Sequence, residues 1–584
     1  MSSRSRPPAA ALALALCLAG AARAQQVAPE ELVLDNGMKF LLLPRKDQPG
    51  SITAGWVAKV GSVDERPGIT GIAHFFEHMM FKGTRTIGTR DPAQDAKLSA
   101  EQHRLRGELR RLHLGQQYRR WRLGEIPDPW DPKHDTDDMK ALRAELAKVV
   151  EAQRAIIVKD EFDQIYTKLG GTRMNAFTSH DLTFYFITVP GNKLELWAWM
   201  ESDRLHDSVF REFYSERDVV HEERRMRTES TPTGVFSEQF DAMFWASSPY
   251  AWPVIGWPTD LNSYTFEQAQ GFFRTYYRPN NLVGVIVGDF DLAQARALVP
   301  RYFGRLERGE DPPTVVTLEV EQRAPIRMEA EVEAAPEVEV RYHSVPFDHP
   351  DEFALEILAE LLNGRTGRLY RALVEGKELA TQAGVRQDSR KYGGAFSFSA
   401  ECKGDVDPAA VERAWFEEVV RLVEEPVAAR ELEKVKNRVL ADSFRRLEDN
   451  YFLMLQLGYY EALGGWRYIN EAPGKLAAVT AEDIQRVART YLKETNRATA
   501  LFRRKAGAAQ SPADAALEKL PANLRPMAKQ AMGQLAQMTD PAQVQAELAQ
   551  LEAQRAQVPP DYHPLIDFVL ERMRERLAAL QEGK

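Results

Sequence analysis

His74-Phe75-Phe76-Glu77-His78 puts two imidazoles and a carboxylate on one face of a single helical turn. His74 and His78 are four apart, so on an α-helix their side chains lie one above the other, as two ligands of one metal ion must. Glu77 falls on the same face, placed to take a proton from water held at that ion. Zinc hydrolases need this set of groups. The surrounding Ile72, Phe75, Phe76, Met79, Met80 and Phe81 are apolar and make the helix a core element. Three ionisable groups in so apolar a turn are costly to desolvate without a partner, which favours a metal over a chance polar face.

Outward from this turn, the chain begins with Arg4 and Arg6, an apolar run from Ala9 to Gly20, and Ala22-Arg23-Ala24. Residues 1–24 are expected to be a secretory signal peptide cleaved near Ala24, and the apolar run is too short to span a bilayer. Beyond it only one cysteine remains, Cys402, so no intramolecular disulfide can form; a chain of this size does not need one. The formal charge of −9 argues against a nucleic-acid partner or a general attraction to anionic membranes, and no stable membrane insertion is expected. The leader and the alanine- and arginine-rich composition point to a bacterial periplasmic or secreted protein.

Two segments repeat each other. Thr265, Arg274, Thr275, Tyr276 and Asn281 recur as Thr480, Arg489, Thr490, Tyr491 and Asn496, each 215 positions on. Each set reads as a capped helix feeding a β-strand, so the chain carries two copies of one α+β unit. Strand-like runs at 40–43, 52–60, 183–189 and 282–287, interleaved with helical periodicity at 70–82, 192–207, 211–229 and 265–277, predict mixed β-sheets covered by helices. The expected division is 25–304 for the first domain, a Pro-bearing linker at 305–325, 326–505 for the homologous second domain, and a helical C-terminal extension at 506–584. Residues 91–160 do not fit the repeat and read as an inserted helical hairpin. Its first arm carries Arg104, Arg106, Arg110, Arg111, Arg119, Arg120 and Arg122, expected as a solvated helix face.

A catalytic zinc site wants a third protein ligand and an open position. The acidic helical stretch Glu216–Met226 can supply it, with Glu216, His221, Glu222 and Glu223 all available. Together with H-x-x-E-H, this stretch resembles the pitrilysin/insulysin/mitochondrial processing peptidase family of zinc metallopeptidases, the inverzincins. The resemblance covers roughly residues 28–505. It implies a clamshell of two homologous α+β domains and an endopeptidase that cleaves peptides or unfolded polypeptide segments with one zinc ion per chain. In that family the third ligand is a glutamate seven residues after another glutamate on one helix. This assigns Glu223 as ligand and Glu216 as the carboxylate orienting a ligand histidine. His74 and His78 are then the other ligands and Glu77 the general base. Asn175-Ala176-Phe177-Thr178 resembles the family's strand beside the zinc, where extended substrate adds through main-chain hydrogen bonds. His180, next to it, is expected at the surface.

Two departures from the family matter. His78 and Glu223 are 145 positions apart, about twice the family's spacing, and the excess is close to the length of the 91–160 hairpin. The family also completes its site with an arginine and a tyrosine, seven apart, from the second domain; Val374 and Thr381 stand there in this chain. The resemblance therefore implies a heterodimer in which a homologous subunit supplies the missing pair. The alternative expectation is a non-catalytic peptide-binding or assembly subunit of the same fold, although an intact Glu77 has no use there.

Overall fold

The computed structural model describes residues 26–506 and, apart from 518, 522–523, 539–540 and 556–557, residues 516–581. The expected signal peptide and its cleavage site lie outside the described residues. Among the described residues, eleven strands form two mixed sheets, each covered by helices, as the sequence pattern predicts. The first contains β1 (Glu30–Val33), β2 (Lys39–Pro44), β3 (Ser51–Ala58), β4 (Thr172–Thr178), β5 (Thr183–Pro190) and β6 (Leu282–Gly288), in the order β1-β2-β6-β3-β5-β4. The second contains β7 (Ile326–Val332), β8 (Glu337–Ser344), β9 (Ala380–Ser389), β10 (Gly394–Cys402) and β11 (Arg497–Arg504), in the order β7-β11-β8-β10-β9.

The duplication extends to strand direction. β2 and β6 pair in parallel, and β6-β3-β5-β4 continue antiparallel. β7 and β11 likewise pair in parallel, followed by antiparallel β11-β8-β10-β9. The repeated residues explain themselves locally. Thr265 and Thr480 each close a capping box at a helix start. Asn281 and Asn496 each donate their side-chain amide to the carbonyl of the tyrosine five residues earlier, Tyr276 (2.9 Å) and Tyr491 (2.8 Å), turning the chain from helix into strand.

Each sheet borrows a helix from the other half to cover one of its faces. The helix Asn450–Leu463 lays Leu453, Met454 and Leu457 on Leu41, Val57, Phe184 and Val283 of the first sheet. Reciprocally, Phe240 and Phe244 of the helix Gly234–Phe244 pack on Ala498, Ala500 and Phe502 of the second. Residues 305–325, between the two sheets in sequence, form neither helix nor strand.

The 91–160 segment is a helical hairpin, with arms Pro92–Leu112, extended through Tyr118–Arg122, and Asp137–Arg154, zipped by Leu105, Leu109, Leu112, Met139 and Leu146. Its arginines are not one solvated face. Arg106 is packed over the Tyr214 ring, where burial pulls its pKa down to about 10, and Arg110 donates to the Ser263 carbonyl (2.9 Å). These two dock the arm, because a guanidinium can stack and hydrogen-bond while its stem is buried.

Helix-on-sheet contact is closest at Gly458, where an added Cβ would stand 2.4 Å from the Phe184 ring. Phe184 is fully buried and cannot swing away. Gly458→Leu should therefore lower the unfolding free energy by about 1–3 kcal/mol, measured by denaturant titration; an unchanged midpoint would contradict this packing.

Candidate metal centre

The histidine helix, Ile72–Met79, starts at Gly71, whose positive φ and close approach to the Ile255 carbonyl leave no room for a Cβ. Its first amides are satisfied by the buried Glu65 carboxylate, which accepts from Gly71 N and Ala73 N at 2.8 Å each. The glutamate helix, Phe213–Arg224, crosses it with Phe213 edge-on to Phe75 (centroids 4.8 Å). These apolar contacts fix how the two polar faces meet.

At the crossing, His74, His78 and Glu223 converge. One potential ligand atom from each lies within 4.8 Å of the others. Glu223 Oε2 is 3.6 Å from His74 Nε2 and 3.3 Å from His78 Nε2. A tetrahedral ion at about 2.1 Å from each ligand would separate them by about 3.4 Å, so the donor set fits zinc by both type and spacing. Glu222 points away and pairs with Arg225 (2.9 Å), while His221 lies beside Arg217 and Asp218.

The surroundings prepare each group differently. Burial pulls the His74 imidazole down to about 4, so it is neutral and free to ligate at neutral pH. Burial also acts against protonated His78, but hydrogen bonds from its ring to Glu216 (Nδ1, 3.0 Å) and Glu223 carry it up to about 9. The Glu223 carboxyl is raised by burial, yet its two histidines and Arg227 bring it below the usual range. Glu77 is pushed up by burial, while the Thr178 hydroxyl, donating to its Oε2 at 2.7 Å, holds the carboxylate in place and partly offsets that rise.

Glu216 orients His78 and is in turn gripped by Lys82 Nζ at 2.5 Å; Arg227 holds the outer oxygen of Glu223 at 2.6 Å. Lys82, Arg227 and the Thr178–Glu77 bond are absent from the sequence reading. Arg227 had a signal there, since it follows Glu223 by four residues, one helical turn; Lys82 had none, because it lies past the end of the histidine helix and pairs with Glu216, distant in sequence. The Thr178–Glu77 bond had none either, because it joins a helix to a strand 101 residues away.

Thr178 ends β4, the edge of the first sheet, where Asn175, Ala176 and Phe177 pair with β5 on one side. His180 corrects the expectation of a surface residue: it is half-buried against the Tyr250 ring (5.5 Å) and outside the triad, because the loop after β4 folds back onto the core. Beside the triad, Glu77, His78, Phe81 and Val219 line one side of a cleft of about 790 Å³, and Arg154, Ile157, Val158 and Lys159, at the exit of the inserted hairpin, line the other. Val374 packs against the second core, and Thr381 donates to the Glu401 carboxylate at 2.7 Å.

Two family models match the chain, one described as insulinase (peptidase family M16) over residues 42–99 and one as the peptidase M16 inactive domain over residues 263–439. The zinc protease PqqE of Helicobacter pylori is 27% identical over 507 residues, covering 84% of this chain and 96% of the relative. A Mycobacterium tuberculosis protein described as an uncharacterized zinc protease is 25% identical over 86% of this chain and 98% of its own length. Among solved structures, a Helicobacter pylori protease superposes with a TM-score of 0.67 (24% identity, 82% of this chain and 99% of that one). The periplasmic protease PqqL of Escherichia coli superposes at 0.61 (18% identity, 84% of this chain and 49% of that one). By its two matching models, its zinc-protease relatives and its duplicated clamshell fold, this chain belongs to the M16 (insulinase) peptidase family.

Proposed function

We propose that this chain is a zinc-dependent endopeptidase acting on peptides or unfolded polypeptide segments. The observation that carries the reading is the convergence of His74, His78 and Glu223 at ligand spacing beside a carboxylate, Glu77, that Thr178 holds in place. Bound zinc supplies Lewis acidity, lowering the pKa of water and polarising a carbonyl. Glu77 takes the water's proton and delivers it to the leaving amine; its upward-shifted pKa suits a group that must both accept and release one. Substrate adds to the free edge of β4 through Asn175 to Thr178, which brings a peptide bond alongside Glu77. The cleft shared with the hairpin exit receives side chains next to that bond. The same reading divides the chain into a zinc-bearing half (25–304), a linker (305–325), a second half without zinc (326–505) and a C-terminal extension (506–584), exported to the periplasm or beyond.

It also makes the chain the zinc-bearing subunit of a heterodimer. Val374 is engaged in the second core and Thr381 with Glu401, so neither serves a reacting carbonyl. The Escherichia coli PqqL chain is about twice the length this chain covers, which leaves room there for two such units.

Three experiments test the reading. Wild type and Glu77→Gln should bind one zinc per chain alike, measured by elemental analysis, while the variant loses hydrolysis of an unstructured fluorogenic peptide by about 10²–10⁴-fold. Equal activity in both would sink the mechanism and leave the peptide-binding alternative. Adding a homologous subunit that carries the arginine–tyrosine pair should raise the wild-type rate by at least tenfold; no change would show that the chain works without it. Finally, the metal-free His78 ring, held up to about 9, is protonated at pH 7 and must lose that proton to ligate, whereas His74 and Glu223 need lose none. Calorimetry in buffers of different ionisation enthalpy should then show about one proton released from His78 per zinc bound at pH 7, and none would show that the metal-free His78 ring is already neutral and not held up by its two carboxylates.

A further inference from the structure

The outer end of the hairpin's first arm carries groups that the proposed chemistry does not use. Arg110 bonds the body of the first domain at Ser263. Beyond it the arm is held by its own return loop, through Gln117 to the His134 carbonyl (2.6 Å), Arg120 to the same carbonyl (2.8 Å), and the His113 ring stacked on Trp130 (4.6 Å). The arm ends at Leu123, about 20 Å past Arg110 at 1.5 Å per residue.

A π turn at His113–Gln117 sets which side chains share a face. In an uninterrupted α-helix Arg111 and Arg119 would be rotated about 80° apart; the wider turn brings them onto one stripe. Leu114 lies one turn from Arg111, and Arg122 and Leu123 one turn from Arg119. Arg111, Arg119 and Arg122 are exposed, and among the described residues none of their side chains has a hydrogen bond or ion pair. Leu114, Trp121 and Leu123 are exposed by 40%, 46% and 64%. Three unpaired guanidinium groups and three exposed apolar side chains thus share the end of a projecting arm.

We infer that this arm end is a docking surface for an anionic phospholipid bilayer. Three apolar side chains are too few for the core of a stable protein interface, which buries about 800 Å² per partner. They suffice at a bilayer surface, where tryptophan and leucine sit among the headgroups and arginines pair with phosphates. The −9 charge of the whole chain opposes a general attraction, but the arm end stands about two Debye lengths (about 8 Å each at physiological salt) from its docking point on the body. The acidic body is screened from the surface that the arginines touch. Within the arm end Glu125, Asp131, Asp135 and Asp137 are paired with Arg120, Lys133, Arg143 and Lys140, which leaves the three arginines against Asp128 and Asp138. The chain therefore approaches arm-first and lies on the bilayer without entering it. Among the described residues no helix is long and apolar enough to cross a membrane. This inference is independent of the peptidase reading.

The test is co-sedimentation of the chain from Gln25 onward, the form that the expected cleavage leaves, with vesicles of phosphatidylcholine alone or a two-to-one mixture with phosphatidylglycerol, across a range of salt. Wild type should bind the mixed vesicles, release them as salt rises, and bind the neutral ones far more weakly. At about 1 kcal/mol per basic side chain, or roughly fivefold each, R111E/R119E/R122E should lose on the order of a hundredfold in affinity while keeping its zinc content and unfolding midpoint. Trp121→Ala should lose several-fold without changing the salt dependence. Undiminished binding by the triple variant, equal binding to neutral vesicles, or no binding at low salt would each overturn the inference. So would capture by a single-stranded DNA probe with no vesicle binding.

Discussion

The donor cluster depends on the crossing of two helices that brings Glu223 Oε2 within 3.6 Å of one imidazole and 3.3 Å of another. Such a cluster is costly to bury, and the fold supports it from behind. Phe75 and Phe213 lock the crossing, Glu65 caps the histidine helix, and Lys82 and Arg227 hold the outer sides of the two carboxylates. Without these supports the two carboxylates and two imidazoles would relax toward water, and the ligand atoms would lose their common focus. The same supports set the proton inventory: one imidazole neutral through burial, the other charged through its carboxylates.

The duplicated scaffold explains how a second half without these histidines remains necessary. Each half builds one core from its own residues, but each sheet's other face is covered by a helix of the other half, so neither half buries both faces of its sheet alone. Once the second copy is retained for packing, its own site is free to drift. Thr381 now satisfies Glu401, and Glu401 also pairs with Lys529 of the C-terminal extension. The hairpin is a different kind of addition. It enters between the histidine helix and β4 without disturbing either, closes one wall of the cleft with its exit residues, and carries its arginine-rich end away from the body.

Much of this was legible in the sequence, because the signals were local or repeated. H-x-x-E-H needs one helical turn, and the 215-residue repeat exposes itself through capping residues that do the same work twice. The strands at 40–43, 183–189 and 282–287 read correctly, because runs buried on both faces carry few polar interruptions. What stayed hidden depends on contacts distant in sequence. Thr178 looks like any strand residue until β4 is laid beside the histidine helix. Arg106 and Arg110 look like solvated charges until Tyr214 and Ser263 meet them, and the burial of His180 follows from the fold of one loop. Composition could not separate the arginines that dock the hairpin from those that remain unpaired.

The central claim is that His74, His78 and Glu223 together hold one zinc ion, with Glu77 beside it and not bound to it. A crystal structure of the zinc-loaded chain, with diffraction recorded on both sides of the zinc absorption edge, tests it most directly. The account predicts a single strong anomalous peak within about 2.0–2.2 Å of both Nε2 atoms and one Glu223 oxygen, with Glu77 outside bonding distance. A peak ligated by Glu216, Glu222 or Glu77 in place of Glu223, or no peak at this crossing, would contradict it.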